Sequence, residues 1–110
     1  MWLLRDGEVL AALEVAATRR ARRRGLLGRD GVDGAILLER TRSIHTIGMR
    51  FAIDVAYCRR GPEGLDVLDA RSMVPGRIGW PRLRAGCVIE AEAGAFERWG
   101  LAAGDVLETK

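Results

Sequence analysis

Phe51-Ala52-Ile53-Asp54-Val55-Ala56-Tyr57-Cys58 decides the fold class. Phe51, Ile53, Val55 and Tyr57 alternate with Ala52, Asp54, Ala56 and Cys58, a period of two that puts the large residues on one face of a strand. Gly61-Pro62-Glu63-Gly64 then reads as a turn, and Leu65-Asp66-Val67-Leu68-Asp69-Ala70 as the returning strand of a hairpin.

Upstream, Ala35-Ile36-Leu37-Leu38-Glu39 is a short apolar run bounded by Gly34 and Arg40, which predicts another strand. Nearer the start, Asp6-Gly7 between apolar flanks predicts a hairpin turn. Beyond it, Val9, Ala11, Leu13 and Val15 fit a strand, while Val9, Leu10, Leu13, Ala16 and Ala17 also fit a helical stripe. The preceding turn favours a strand up to Ala16. Thr18 then N-caps a short helix through the arginines, with Gly25 as its C′ residue. Arg19 and Arg20 in the first turn sit poorly with the helix dipole, so the helix starts earlier or these side chains have acidic partners.

Downstream, Pro75, Gly76, Gly79 and Pro81 mark a loop. Cys87-Val88-Ile89-Glu90-Ala91 is a strand and Ala93 to Trp99 a short helix stopped by Gly100. Gly104-Asp105 turns into a last strand, Val106-Leu107-Glu108. The pattern predicts one domain over residues 1–110 of a mainly β, α+β class: a small antiparallel β-barrel-like or sandwich fold with one or two short helices.

The chain has 110 residues, 48% hydrophobic and 30% charged, enough for one core without a metal or disulfide staple. No apolar run approaches the roughly 20 residues that cross a bilayer. The opening Met1-Trp2-Leu3-Leu4-Arg5-Asp6 breaks into charge too early for a secretory signal. A cytoplasmic protein with no membrane partner is the expectation. There Cys58 and Cys87 remain thiols, and with a single His they make no structural zinc site. The net charge is +3, and every basic residue except Lys110 is arginine.

Three stretches resemble the family called domain of unknown function 192. They are Arg23-Arg24-Gly25-Leu26-Leu27-Gly28-Arg29, then Ser43-Ile44-His45-Thr46-Ile47-Gly48-Met49-Arg50-Phe51-Ala52-Ile53-Asp54-Val55, and Val88-Ile89-Glu90 through Gly94 to Gly104-Asp105. Ala52 stands where that family usually has proline, which bears on the strand end near Asp54. The resemblance implies a β-barrel-like or sandwich fold and supplies no activity and no catalytic residue.

His45, Thr46, Arg50 and Asp54 form the chemically capable segment. An imidazole titrates near working pH, and a carboxylate between apolar neighbours needs donors or a cation. Arg50, Arg71 and the His45 ring are its candidate partners, and a bend at Gly48 is expected to bring ring and carboxylate within hydrogen-bond reach. The alternative is an Asp54 that anchors the neighbouring loop and is satisfied by His45. Trp80, with Arg77 and Arg82 nearby, is a candidate groove for an acidic or planar ligand, or else a tryptophan tucking its loop onto the core. Cys58 reads as a buried core thiol, since nothing places it beside a fixed cation or at a helix N-terminus.

Three functions follow as expectations. The leading one is a non-catalytic domain, without cofactor or metal, that binds a small anionic ligand or a peptide through His45, Thr46, Arg50, Asp54, Arg77 and Trp80. The second is a small hydrolase or transferase using His45 and Asp54, although neither a nucleophile elbow nor a paired carboxylate is evident. The third is an RNA-associated protein using Arg19, Arg20, Arg22, Arg23, Arg24 and Arg29. That face has no interleaved aromatics for base stacking, and a solvated helix surface is the plainer reading.

Overall fold

The computed structural model describes residues 1–110. The elements in chain order are β1 (Trp2–Arg5), β2 (Glu8–Ala16), α1 (Arg19–Arg24), β3 (Ala35–Glu39), β4 (Ile53–Arg60), β5 (Leu65–Met73), β6 (Cys87–Glu92), α2 (Ala95–Trp99) and β7 (Val106–Thr109). The strands close into a barrel in the order β1-β2-β3-β6-β4-β5-β7. The hairpin read from the sequence is β4 with β5, closed by a hydrogen bond from Gly61 N–H to Gly64 C=O at 2.7 Å. β4 starts at Ile53 rather than Phe51, because the Ala52 carbonyl instead accepts from Ala93 N–H at 3.1 Å.

The sheet is largely antiparallel, as the sequence predicts, with one parallel pair. β2 and β3 pair in parallel, Leu13 opposite Ala35 through Ala16 opposite Leu38, while the other strand pairs are antiparallel. A parallel pair requires a crossover, and the arginine helix with its following loop supplies it. The ambiguous segment resolves as the strand up to Ala16, and α1 begins at Arg19. Thr18 Oγ1 accepts from Ala21 N–H at 3.1 Å, and Gly25 closes the other end with φ 47°. The first turn of α1 contains no acidic residue, and no ion pair holds Arg19 or Arg20. The dipole penalty therefore stands uncompensated.

Alternation along the strands separates two apolar layers. Inside the barrel, Leu3, Leu13, Leu37, Cys58, Ile89 and Leu107 meet, and Phe96 of α2 packs against them. On the outer face of β3, β6 and β4, Ile36, Leu38, Val88, Val55 and Tyr57 form a second cluster. Leu26, Ile44 and Ala85 from the long connections cover it. The connections that carry Leu26 and Ile44 also wall a cleft beside α1.

Candidate functional site

The residues singled out in the central segment do not converge. Asp54 is 3% exposed and points to the α2 end of the barrel. Its Oδ1 accepts from Ser72 Oγ at 2.6 Å, and its Oδ2 from the backbone N–H groups of Gly94 and Phe96, both at 3.0 Å. None of the expected partners, Arg50, Arg71 or the His45 ring, takes part. Asp54 is structural, but it anchors α2 rather than the neighbouring loop, and His45 does not satisfy it. Small Ala56 and Cys58 on the same strand face leave room for α2 to approach.

Thr46 is fully buried and locks two loops together. Its hydroxyl donates to Val74 C=O at 2.7 Å and accepts from Arg77 N–H at 2.9 Å, and its own N–H reaches Arg77 C=O at 2.7 Å. Arg77 thus contributes its backbone here, and its side chain is exposed. Arg50 pairs on the surface with Asp30 at 2.9 Å. Trp80 is 84% exposed, so it does not tuck its loop onto the core. Arg82 instead packs there, lying over the Tyr57 ring at 4.5 Å and pairing with Asp69 at 2.8 Å.

His45 is exposed and lies on a different cavity from Asp54. The bend at Gly48 (φ 83°) does not turn its ring toward the carboxylate, because a backbone bridge between His45 and Ile78 fixes that stretch beside the following loop. The cavity His45 joins has a volume of about 510 Å³. Arg19, Arg22, Arg23 and Arg24 of α1 line it, and Arg40 enters from the end of β3. None of these five arginines forms an ion pair, and Arg22 donates only to Glu39 C=O at 3.3 Å. Arg29, by contrast, is held in a two-pronged pair with Glu14 at 2.8 and 2.9 Å and takes no part in the cleft. Like charges so concentrated raise a local positive potential that attracts anions. Leu26, Leu27, Leu38, Ile44 and Met49 give the cleft an apolar wall.

The cleft also contains a residue that the sequence reading did not single out. Glu90 lies on the outer face of β6, paired across the strands with Ile36 on one side and Val55 on the other. It is 4% exposed, opens into the cleft, and makes no side-chain hydrogen bond or ion pair. Burial pushes its carboxyl up to about 7. A signal was present in the sequence. In Cys87-Val88-Ile89-Glu90-Ala91 the acid falls on the Val88 face of a strand that is otherwise apolar. The close approach of chain to carboxylate is made by Gly25. A Cβ there would lie 3.1 Å from Glu90 Oε1, and its φ of 47° suits glycine.

Fold and cleft together define a small closed β-barrel protein with an arginine-lined cavity between its crossover helix and its second apolar layer. Residues 2–109 match the family described as Uncharacterized ACR, domain of unknown function 192, and the chain belongs to that family. A protein from Sinorhizobium meliloti 1021, whose name proposes a role as transcription regulator, has a similar solved structure. The TM-score is 0.79 at 21% identity, over 97% of this chain and 89% of that one. A protein of unknown function from Novosphingobium aromaticivorans DSM 12444 gives 0.72 at 21% identity, over 88% of this chain and 74% of that one. At such identity these likenesses show the fold alone. No curated protein matches the sequence.

Proposed function

We propose that this protein is a non-catalytic binding domain whose ligand is a small anion held in the α1 cleft. The observation that carries this reading is the convergence of Arg19, Arg22, Arg23, Arg24, Arg40 and His45 on one cavity of about 510 Å³, with no carboxylate paired to any of the five arginines. That volume lies within the roughly 300–1,000 Å³ of small-molecule sites. Guanidinium groups recognise phosphate, sulfonate or carboxylate through paired hydrogen bonds. An anion would also relieve the repulsion among these arginines and the unfavourable placement of cations in the first turn of α1. Catalysis by His45 with Asp54 loses its support, since both Asp54 oxygens are occupied by internal donors and the imidazole lies on another cavity. We take the cytoplasm as the compartment, where the two buried thiols stay reduced.

The test uses pyrophosphate as probe at constant ionic strength, read by calorimetry and by thermal melts. Binding should raise the melting temperature, the stabilisation reaching about 2.7 kcal/mol at a probe concentration of roughly a hundred times Kd. Arg23→Ala with Arg40→Ala should weaken binding by about tenfold or more, since each loses a charge-assisted contact. Arg98→Ala, on α2, should leave it unchanged. No binding at millimolar pyrophosphate, or binding indifferent to Arg23 and Arg40, would refute the reading. So would a preference for single-stranded RNA that Arg20→Ala abolishes, because Arg20 lies outside the cleft.

A further inference from the structure

A plain polyanion does not explain the floor of the cleft. Glu90 places a carboxyl, 4% exposed and without a side-chain partner, as the one acidic group in a cavity lined mainly by arginines and apolar side chains, with Thr41, Ser43 and His45 also lining it. Buried polar groups are normally satisfied, and one left open toward a cavity points to a group that arrives with a ligand. Arg19, Arg22, Arg23, Arg24 and Arg40 line the same space, yet none closes onto the carboxyl as an ion pair. A carboxyl and five guanidinium groups thus share one cavity without pairing, and the leucines, Ile44 and Met49 supply an apolar wall. No group of three or more His, Cys, Asp or Glu gathers here that could hold a metal ion, so the carboxyl is not one ligand of a cation cage.

Resting on the anion-binding reading above, we infer that the ligand is zwitterionic: its anionic group meets the arginines, and an amine or similar hydrogen-bond donor reaches Glu90. Such a ligand satisfies both halves of the cleft. The anion forms charge-assisted hydrogen bonds to guanidinium groups. The donor pairs with the buried carboxylate in a site of low local dielectric, where a hydrogen bond to a charged group is strongest. An anion lacking the donor leaves Glu90 unpaired and, when Glu90 is ionised, is repelled by it. Burial pushes Glu90 up to about 7, and an ammonium placed beside it offsets that cost by favouring the charged carboxylate. Discrimination arises because the site's own buried polar group is left unsatisfied by the wrong ligand.

A matched pair of probes tests this: 4-(aminomethyl)benzenesulfonate against 4-ethylbenzenesulfonate, equal in shape and differing only in the ammonium group. At about pH 8 the aminomethyl probe should bind about tenfold more tightly to the wild type, one charge-assisted hydrogen bond's worth. Glu90→Gln should bring the two affinities within about twofold by weakening the amine and strengthening the plain sulfonate. Equal affinities in the wild type, or a preference that survives Glu90→Gln, would sink the zwitterion inference while leaving anion binding in place. Failure of both sulfonates to bind would sink the anion reading and this inference with it. Should Glu90→Gln not fold, the wild type decides. Its preference for the aminomethyl probe should grow severalfold from about pH 5.5 to about pH 8.5 as Glu90 ionises, and a flat preference overturns the inference.

Discussion

The Asp54 carboxylate accepts the backbone N–H of Phe96 at 3.0 Å, across 42 positions of sequence. A second N–H from Gly94 reaches the same oxygen at 3.0 Å. Asp54 thus does for α2 what an N-cap side chain normally does from within the helix. The residue at the cap position is Gly94, in the left-handed region with φ 96°, and it has no side chain to offer. The charge also lies at the positive end of the helix dipole. This anchor fixes α2, whose Phe96 closes one end of the barrel core.

Asp54→Ala is expected to cost about 2–3 kcal/mol, because it orphans a buried donor and removes hydrogen bonds to a charged acceptor. Asp54→Asn should cost less, since the amide oxygen retains one acceptor. His45→Ala, exposed and without a side-chain partner, should stay within roughly 0.5 kcal/mol of the wild type. Urea denaturation of the three variants measures this. Equal losses for Asp54→Ala and His45→Ala would contradict the anchor.

Cys58 and Cys87 face each other across β4 and β6, both free and fully buried. The Cys58 thiol donates to Ala56 C=O at 3.7 Å, and the hydrogen bond shared with Cys87, with burial, pushes it well above the ordinary thiol range. Ellman's reagent should therefore react with two thiols in denaturant and with neither on the same timescale in the native protein. Rapid native reaction would show that the thiols are not buried, and fewer than two thiols after unfolding would show that they are not free. Cys58→Ala and Cys87→Ala should both fold.

How much of this was legible depended on whether a residue's partner lay in its own segment. The hairpin of β4 and β5, the Thr18 cap and the Gly25 stop are local, and period, turn chemistry and capping residues announce them. The parallel pairing of β2 with β3 was not legible, since it is set by where the crossover lands. Asp54 could be read as a buried carboxylate needing donors, but its donors are main-chain N–H groups 40 and 42 positions away, which no side-chain pattern encodes. The cleft splits the same way. Its arginines stood out as a basic run, and His45 as the single histidine. That they share a cavity with Glu90 required β6 to lie beside β3 and β4 with its Val88 face turned toward α1.

Glu90 also sets the sign of a pH effect on stability. In the folded protein burial holds its carboxyl at about 7, against an ordinary value of 4.5. Between those values the folded state binds more protons than the unfolded one, so stability falls as pH rises. The contribution is fully present below pH 4.5 and is lost as pH passes through about 7. The interval corresponds to roughly 3 kcal/mol. The charged and titratable groups that share its cleft are Arg19, Arg22, Arg23, Arg24, Arg40 and His45, with apolar Ile36 and Val55 beside it on the neighbouring strands. Arginines keep their charge throughout, and a His45→Ala background removes the imidazole from the comparison. Glu90→Gln should therefore be more stable than Glu90 in that background at about pH 8, by roughly 2–3 kcal/mol, with the difference shrinking toward pH 4.5. Guanidinium melts across this range, in buffers free of multivalent anions, read it directly. A Glu90→Gln variant less stable than its parent at about pH 8, or a difference that does not change with pH, would mean that the carboxyl is satisfied inside the folded protein and that the floor of the cleft is not an open acceptor.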